Sequence, residues 1–330
     1  MRLIQYSVWK KETNNAGGKA KNDAFDIALD CGFEASYNPS NKRFIRIIQQ
    51  FFSMKKIKSA DILFVQYPAI DNRLLEIMFK HMNPEGISIA LIHDLPSIQG
   101  VRGGDKQLEI YHLNHFTHLI VHNKKMEEYV RGMGYDGTIV SLELFDYLHN
   151  EQRDIIQDEF SNTISVAGNL TKSRYLLSLD KINGVNFDLY GIKGDMDFSN
   201  MKNVQYKGML PSDEIVYKLT GDYGLVWDGD AIDSCTGVYG EYLLINNPHK
   251  LSMCMAAGKP VITWKKAAIS DFVNREGVGI CVDSLAELNN IDLKENYCTC
   301  KANVLRIKEK VAKGYYLRSA LHEIVSGKAK

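Results

Sequence analysis

Two residue pairs in this chain have the types and spacing for chemistry: His93-Asp94, closing an apolar run, and His249-Lys250, opening a helix. Ile87–Ile92 reads as a buried strand, so His93-Asp94-Leu95-Pro96 leaves an imidazole and a carboxylate at its carboxyl end. Either group can take a proton from a substrate hydroxyl as a general base. Equally, Asp94 can cap the turn that Pro96 initiates while His93 packs against a neighbour. Gln66-Tyr67-Pro68 ends the preceding strand and is expected on the same side.

The second pair lies in Asn246-Asn247-Pro248-His249-Lys250, which starts a short helix that Gly258 and Pro260 stop before the apolar strand Val261–Trp264. Asn247 is expected as its cap and Pro248 as its first helical residue. A positive helix end carrying His249 and Lys250 suits an anion, phosphate first. The dipole adds only about 0.3–1 kcal/mol near a surface, so Lys250 and the Ser252 hydroxyl are needed for useful affinity. A basic first turn facing solvent is the other reading.

Further strand ends carry weaker signals. The first strand runs into a loop whose Gly17-Gly18 opens a helix, a place where backbone N–H groups can approach a phosphate or sugar, or a plain flexible turn. Neither a P-loop nor a three-glycine dinucleotide fingerprint is present. Gly168-Asn169-Leu170-Thr171-Lys172-Ser173-Arg174 joins a turn to donors and two cations that suit a diphosphate or a solvated helix start. Tyr206 offers a stacking face before a helix that Ser212 is expected to cap. Asp228-Gly229-Asp230 has the spacing of a carboxylate pair for a divalent metal, but a strand-end turn with Asp228 near a sugar is the preferred reading.

Strand-like and helical runs alternate through the chain, the rhythm of parallel sheets with crossover helices. The polar stretch Asp146–Glu159 reads as a linker. It gives an α/β domain over residues 1–152, a second over 153–312 and a terminal helix over 313–330. In open parallel sheets ligands sit beyond the carboxyl ends of the strands, so the named residues fall where a cleft between two such domains would lie. With 330 residues and 45% hydrophobic content the chain can bury two cores. Forty Lys+Arg against forty Asp+Glu exclude a global footprint for nucleic acid, so any charged substrate needs a local site. No run approaches the roughly 18 apolar residues of a membrane span. The start lacks the apolar region of a signal peptide, so a cytoplasmic address is expected. The six scattered cysteines fit no zinc pattern.

These features together resemble GT-B glycosyltransferases: two α/β halves, the small-residue loop after the first strand, His93-Asp94, Gly168-Asn169-Leu170, and Asn246–Lys250 leading to Ala256-Ala257-Gly258-Lys259-Pro260-Val261-Ile262. The closest likeness is to bacterial glucosyltransferases that add the second sugar to O-linked N-acetylglucosamine on serine-rich repeat adhesins. The resemblance implies two Rossmann-like domains around a central cleft and a C-terminal helix crossing back to the first domain. It implies a UDP-glucose donor on the second domain, with Lys172 or Arg174 and Lys250 at the diphosphate and Tyr206 near the base. The acceptor, a GlcNAc-bearing serine-rich repeat protein, would lie on the first domain. No metal or other cofactor is expected, and a homo-oligomer, commonly a tetramer, is.

Many retaining GT-B enzymes carry two glutamates with seven residues between them before the Gly-x-Pro ending, where this chain has Ile245 and Met253. That favours an inverting single displacement with Asp94 as base, His93 as the alternative, and Lys250 and the helix end on the leaving UDP. Other functions fit the same residues: a transferase for cell-wall or capsular polysaccharide, with a galactofuranose or other donor, or a nucleotide-sugar epimerase. A non-enzymatic partner of another transferase would have lost the phosphate-holding residues, whereas Asn247, His249, Lys250 and Ser252 are present.

Overall fold

A computed structural model describes residues 1–6, 16–37, 43–68, 72–99, 104–149 and 159–328. They form two compact units. The first contains Met1–Glu12, Ala20–Glu143 and Gly314–Lys330; the second contains Thr13–Lys19 and Leu144–Lys313. Most of the linker expected over Asp146–Glu159 lies at residues 150–158, outside the described ones, and Leu144–His149 belongs with the second unit.

The first unit is built on six strands: β1 (Leu3–Tyr6), β2 (Glu34–Ala35), β3 (Ile62–Tyr67), β4 (Ile87–Ile92), β5 (His118–Val121) and β6 (Thr138–Ser141). Their order is β2-β1-β3-β4-β5-β6, with every pairing parallel. Ile89 through Ile92 are buried without a break because helices cover both faces of a parallel sheet, which demands a continuous apolar run rather than alternation. The helix Tyr315–Val325 buries Leu317, Ala320, Leu321 and Ile324 in this unit. Gly314 takes a left-handed turn (φ +72°) against Ile27, and Arg318 pairs with Asp30 at 2.7 Å.

The second unit holds β7 (Thr163–Asn169), β8 (Asn186–Ile192), β9 (Val204–Gly208), β10 (Tyr223–Val226), β11 (Val261–Trp264) and β12 (Gly279–Val282). Their order is β12-β11-β10-β7-β8-β9, again all parallel. The strand order reverses between β7 and β10, the position where such sheets open a crevice for ligands. Gly168 and Gly191 are partners in the β7–β8 register, with φ of +141° and +136°. A Cβ on Gly191 would overlap the Gly168 carbonyl oxygen.

Two caps differ from expectation. Pro248, not Asn247, is the N-cap of the His249–Ala256 helix, and Pro211, not Ser212, is that of the Ser212–Lys218 helix; neither cap is made by a side chain. Both prolines sit at ψ near 140°, extended, where a missing N–H costs nothing and the proline carbonyl can begin the helical ladder. Pro248 accordingly accepts from Leu251 N–H at 2.9 Å.

Replacing Gly191 with alanine is expected to destabilise the second unit by about 3 kcal/mol or more, because a strained φ and a backbone overlap coincide. Gly184→Ala, at φ +78° with open space around the new methyl, should cost only about 1–2 kcal/mol. Urea denaturation of the two variants measures the difference, and equal losses would refute the close-approach argument.

Candidate active site

The carboxyl ends of β7 and β10 bring Gly168-Asn169 and Trp227-Asp228 together at the switch point of the second sheet. Lys250, in the first turn of the His249–Ala256 helix, reaches them. Its Nζ lies 2.6 Å from Asp228 Oδ1 and donates to the Trp227 carbonyl at 3.3 Å. Its Cε is 3.2 Å from where a Cβ on Gly168 would stand, so only glycine lets the lysine lie so close to the strand end. Both charged side chains are 18% exposed. An ammonium group has three donors, two of which are used here, leaving one for a ligand.

A cavity of about 230 Å³ opens beside this lysine. Asn169, His249 and Lys250 supply its polar lining; Ile192, Met209, Leu210, Ile215 and Met253 line it with apolar side chains, and Tyr147, Tyr190 and Gly191 complete the wall. Few polar groups against an apolar surface is the usual make-up of a small-molecule site. The Asn169 side-chain oxygen accepts from Thr171 N–H (3.2 Å) and the Thr171 hydroxyl (2.7 Å), fixing the amide so that its NH₂ remains for a ligand.

His249 is held by aromatic packing rather than hydrogen bonds. Its ring stacks on Tyr147 (centroids 4.9 Å apart, 22°) and meets Phe145 edge-on at 6.2 Å. Tyr147 is fixed in turn by donating its hydroxyl to the Ser212 carbonyl at 2.6 Å. Lys19 sits 5.1 Å from the Tyr147 ring centre and donates to the Leu148 carbonyl at 2.6 Å. Burial lowers the His249 pKa to about 4 and the Lys19 charge adds to this, against a smaller opposing effect from the Asp146 backbone. The imidazole is therefore neutral near pH 7, and Lys250 carries the positive charge of the expected basic pair. Neither His249 ring nitrogen makes a hydrogen bond of ordinary geometry, nor do the buried Ser252 hydroxyl and Asn246 Oδ1. Buried polar atoms are normally paired, so four orphans around one helix start mark a place that polar ligand atoms could satisfy.

The remaining expected residues lie around this centre. Asn247 is buried just before the cap. Lys172 and Arg174 are exposed and off the cavity lining, Lys172 lying 4.5 Å from the Tyr239 ring centre. Tyr206 buttresses the wall from outside, donating its hydroxyl to the Gly191 carbonyl at 2.9 Å with Lys193 over its ring. Gly17 is exposed and Gly18 buried in the first turn of the Ala16–Asp30 helix, while residues 9–15 of the expected loop lie outside the described ones. Asp228 is committed to Lys250. Among the described residues no three His, Cys, Asp or Glu side chains gather as metal ligands would.

In the first unit, His93 Nε2 is 2.8 Å from Gln66 Oε1, while Gln66 Nε2 donates to the Lys21 carbonyl at 3.1 Å. An amide oxygen only accepts, so His93 carries its proton on Nε2 and donates it; that nitrogen cannot also take a proton. Asp94, half-buried, lies near Lys21, whose pKa is lowered by burial and partly restored by the Asp94 charge.

Sequence reasoning missed Tyr147, Lys19, Tyr190, Gly191 and the apolar wall. Leu144-Phe145-Asp146-Tyr147 carried a signal, an apolar cluster inside the supposed start of a linker.

Residues 3–144 match the family profile for the glucosyltransferase 3-like N-terminal domain, and residues 164–324 that for the glucosyltransferase 3-like C-terminal domain. The β-1,6-galactofuranosyltransferase WbbI of Escherichia coli is 30% identical over 326 residues, spanning 94% of this chain and 94% of that protein. Glucosyltransferase 3 of Streptococcus gordonii is 23% identical over 323 residues, 93% of each. Among solved structures, Anabaena HepE in complex with UDP is similar with a TM-score of 0.63 at 12% identity, covering 99% of this chain and all (100%) of that one. Sucrose-phosphate synthase from Thermosynechococcus elongatus gives 0.60 at 10% identity, covering 99% of each. At such identities the structural likeness is one of fold.

Because His249 is neutral when folded but titrates at an ordinary value when unfolded, the unfolded chain binds more protons between about pH 4 and 6.5. Stability should be full above about pH 6.5 and fall as pH drops toward 4, by an amount on the order of 3 kcal/mol from this residue alone. His249→Phe should flatten that slope in urea titrations across the window. His122 in the first unit, also lowered to about 4 by burial, should keep its own share of it.

Proposed function

Because the chain belongs to the glucosyltransferase 3-like family of GT-B glycosyltransferases, we propose that it transfers a hexose from a UDP-sugar by inverting single displacement. The carrying observation is the convergence at one switch point of a helix N-terminus, the Lys250 ammonium group and a set of buried polar atoms without partners. Lys250 takes the diphosphate with its third donor, and Asp228 keeps the ammonium aimed. Backbone N–H groups of the His249–Ala256 helix share the phosphate charge. His249, neutral, acts as a hydrogen-bonding and packing group rather than a cation. No metal role is assigned.

In the reaction proposed, Asp94 removes the proton of the acceptor hydroxyl, whose oxygen bonds to the anomeric carbon as the bond to the diphosphate oxygen breaks and UDP leaves. An α-linked UDP-sugar then gives a β-linked product. The absence of the retaining glutamate pair at Ile245 and Met253 agrees with this course, as does the β linkage in the name of the E. coli relative. The full-length likeness to that relative favours galactofuranose as the sugar and a polysaccharide acceptor. Glucose transferred onto GlcNAc of a serine-rich repeat glycoprotein is the second reading, supported by the likeness to the streptococcal glucosyltransferase. Residence in the cytoplasm and assembly as a homotetramer complete the proposal.

A UDP-release assay over UDP-galactofuranose, UDP-glucose and other UDP-sugars, with saccharide acceptors and with a GlcNAc-bearing serine-rich peptide, separates the readings by which pair turns over. In the productive pair, Asp94→Asn should lose about 100-fold or more in kcat, and His93→Gln much less. Lys250→Met should lose both donor affinity and kcat. Wild-type turnover by Asp94→Asn would sink the base assignment.

A further inference from the structure

A buried carboxylate holds the chain just past Asp94. Glu109 lies in the helix Lys106–Leu113, on the face that also buries His112 and Leu113, so it takes an i, i+3, i+4 core position that packing alone fills with an apolar side chain. It is 4% exposed. Both of its oxygens accept from one residue: the Ser97 hydroxyl donates to Oε2, and the Ser97 backbone N–H donates to Oε1 at 3.4 Å. Among the described residues no cation pairs with it, and burial raises its pKa against the opposing effect of those two bonds. A carboxyl group buried without a counter-charge costs stability that an apolar side chain of the same volume would not. What that cost secures is the position of Ser97.

Ser97 belongs to the short helix Pro96–Gln99, which follows Asp94 and Leu95 directly. The chain is fixed on both sides of Asp94. Upstream, the His93 backbone N–H donates to the Tyr67 carbonyl at 2.7 Å, and Leu95 is fully buried. Downstream, Glu109 binds Ser97, and Gly104 lies so close to the same turn that a Cβ on it would overlap the Pro96 carbonyl oxygen. Buried Tyr67, at the end of β3, has its pKa raised by burial and further by the Glu109 charge, so the carboxylate stands near that strand end as well. We infer that Glu109 is a positioning residue for Asp94, holding the Ser97 side of the turn so that the Asp94 carboxylate keeps one place at the end of β4. The inference rests on the proposed role of Asp94 as base, and Glu109 itself touches no substrate. A misplacement of about 1 Å can cost on the order of a hundredfold in rate, so this tether matters more to turnover than to the fold.

UDP release by the full chain, from UDP-galactofuranose or UDP-glucose with the saccharide or glycopeptide acceptor that sustains turnover, tests it. Glu109→Met keeps the volume and removes the tether; kcat should fall about thirtyfold while donor KM and circular dichroism stay unchanged. Glu109→Gln should stay within about threefold of the wild type, because the amide oxygen can accept from the Ser97 N–H and the NH₂ can donate to the hydroxyl. Added to Asp94→Asn, Glu109→Met should cost less than about threefold more, since no base remains to be positioned. If Glu109→Met does not fold, Ser97→Ala, which removes one hydroxyl from the same tether, should lower kcat at unchanged donor KM and likewise add little to Asp94→Asn. Wild-type kcat in these variants, an equal loss in Glu109→Gln, or losses that multiply in the double variant would overturn the inference and leave Asp94 as base. Full turnover by Asp94→Asn, or no turnover with any donor and acceptor, would instead remove the reading on which it rests.

Discussion

Gly168 and Gly191 meet at the ends of two parallel strands with no room for a side chain between them, and the geometry of the second unit's site follows from that approach. Because neither carries a Cβ, the strands stay paired to their tips, and the Lys250 side chain can lie against Gly168. The ammonium group then falls within reach of both Asp228 and the Trp227 carbonyl. The rest of the wall is secured from outside, by Tyr206 on the Gly191 carbonyl and Tyr147 on that of Ser212.

Electrostatics at this centre is arranged by burial as much as by charge. His249 and Lys250 are neighbours in sequence but not in kind: the imidazole is stacked, buried and neutral, while the ammonium group is ion-paired with Asp228. Lys19 adds a further cation next to Tyr147, and its field helps keep His249 unprotonated. The site thus separates one fixed positive charge from one neutral donor or acceptor. That arrangement suits a leaving group whose charge grows as its bond to sugar breaks, because preorganised donors in a partly dry site need not reorient during reaction.

Much of this was legible in the sequence where local rules decide. Strand and helix order followed from apolar runs broken by Gly and Pro, and Lys250 and Asn169 stood out because a strand end or helix start carried a polar group in a predictable place. What failed was decided by packing. The caps went to Pro248 and Pro211 rather than to the polar residues beside them, since an extended proline meets the backbone geometry without a side-chain bond. The Lys250–Asp228 pair joins residues 22 positions apart, and the His249–Tyr147 stack joins residues a hundred apart; neither has a local signature. The neutrality of His249 is a property of its surroundings, which no spacing rule carries.

The same reasoning bears on where the sugar is read. One relative is named as a galactofuranosyltransferase and another as a glucosyltransferase, so the features this chain shares with both do not encode the sugar. In the function proposed, Lys250 and the helix N-terminus address what UDP-sugars share, the diphosphate. Ring size and hydroxyl configuration differ by a few hydrogen bonds and contacts, each worth about 1–3 kcal/mol, enough for tenfold to a few hundredfold preference. Residues able to supply them must lie near the diphosphate but away from its charge, which directs attention to Asn169, with an uncommitted amide NH₂, and to the orphaned Ser252 and His249. Of these, His249 alone combines a ring held by Tyr147, a neutral state and two polar atoms on the cavity wall.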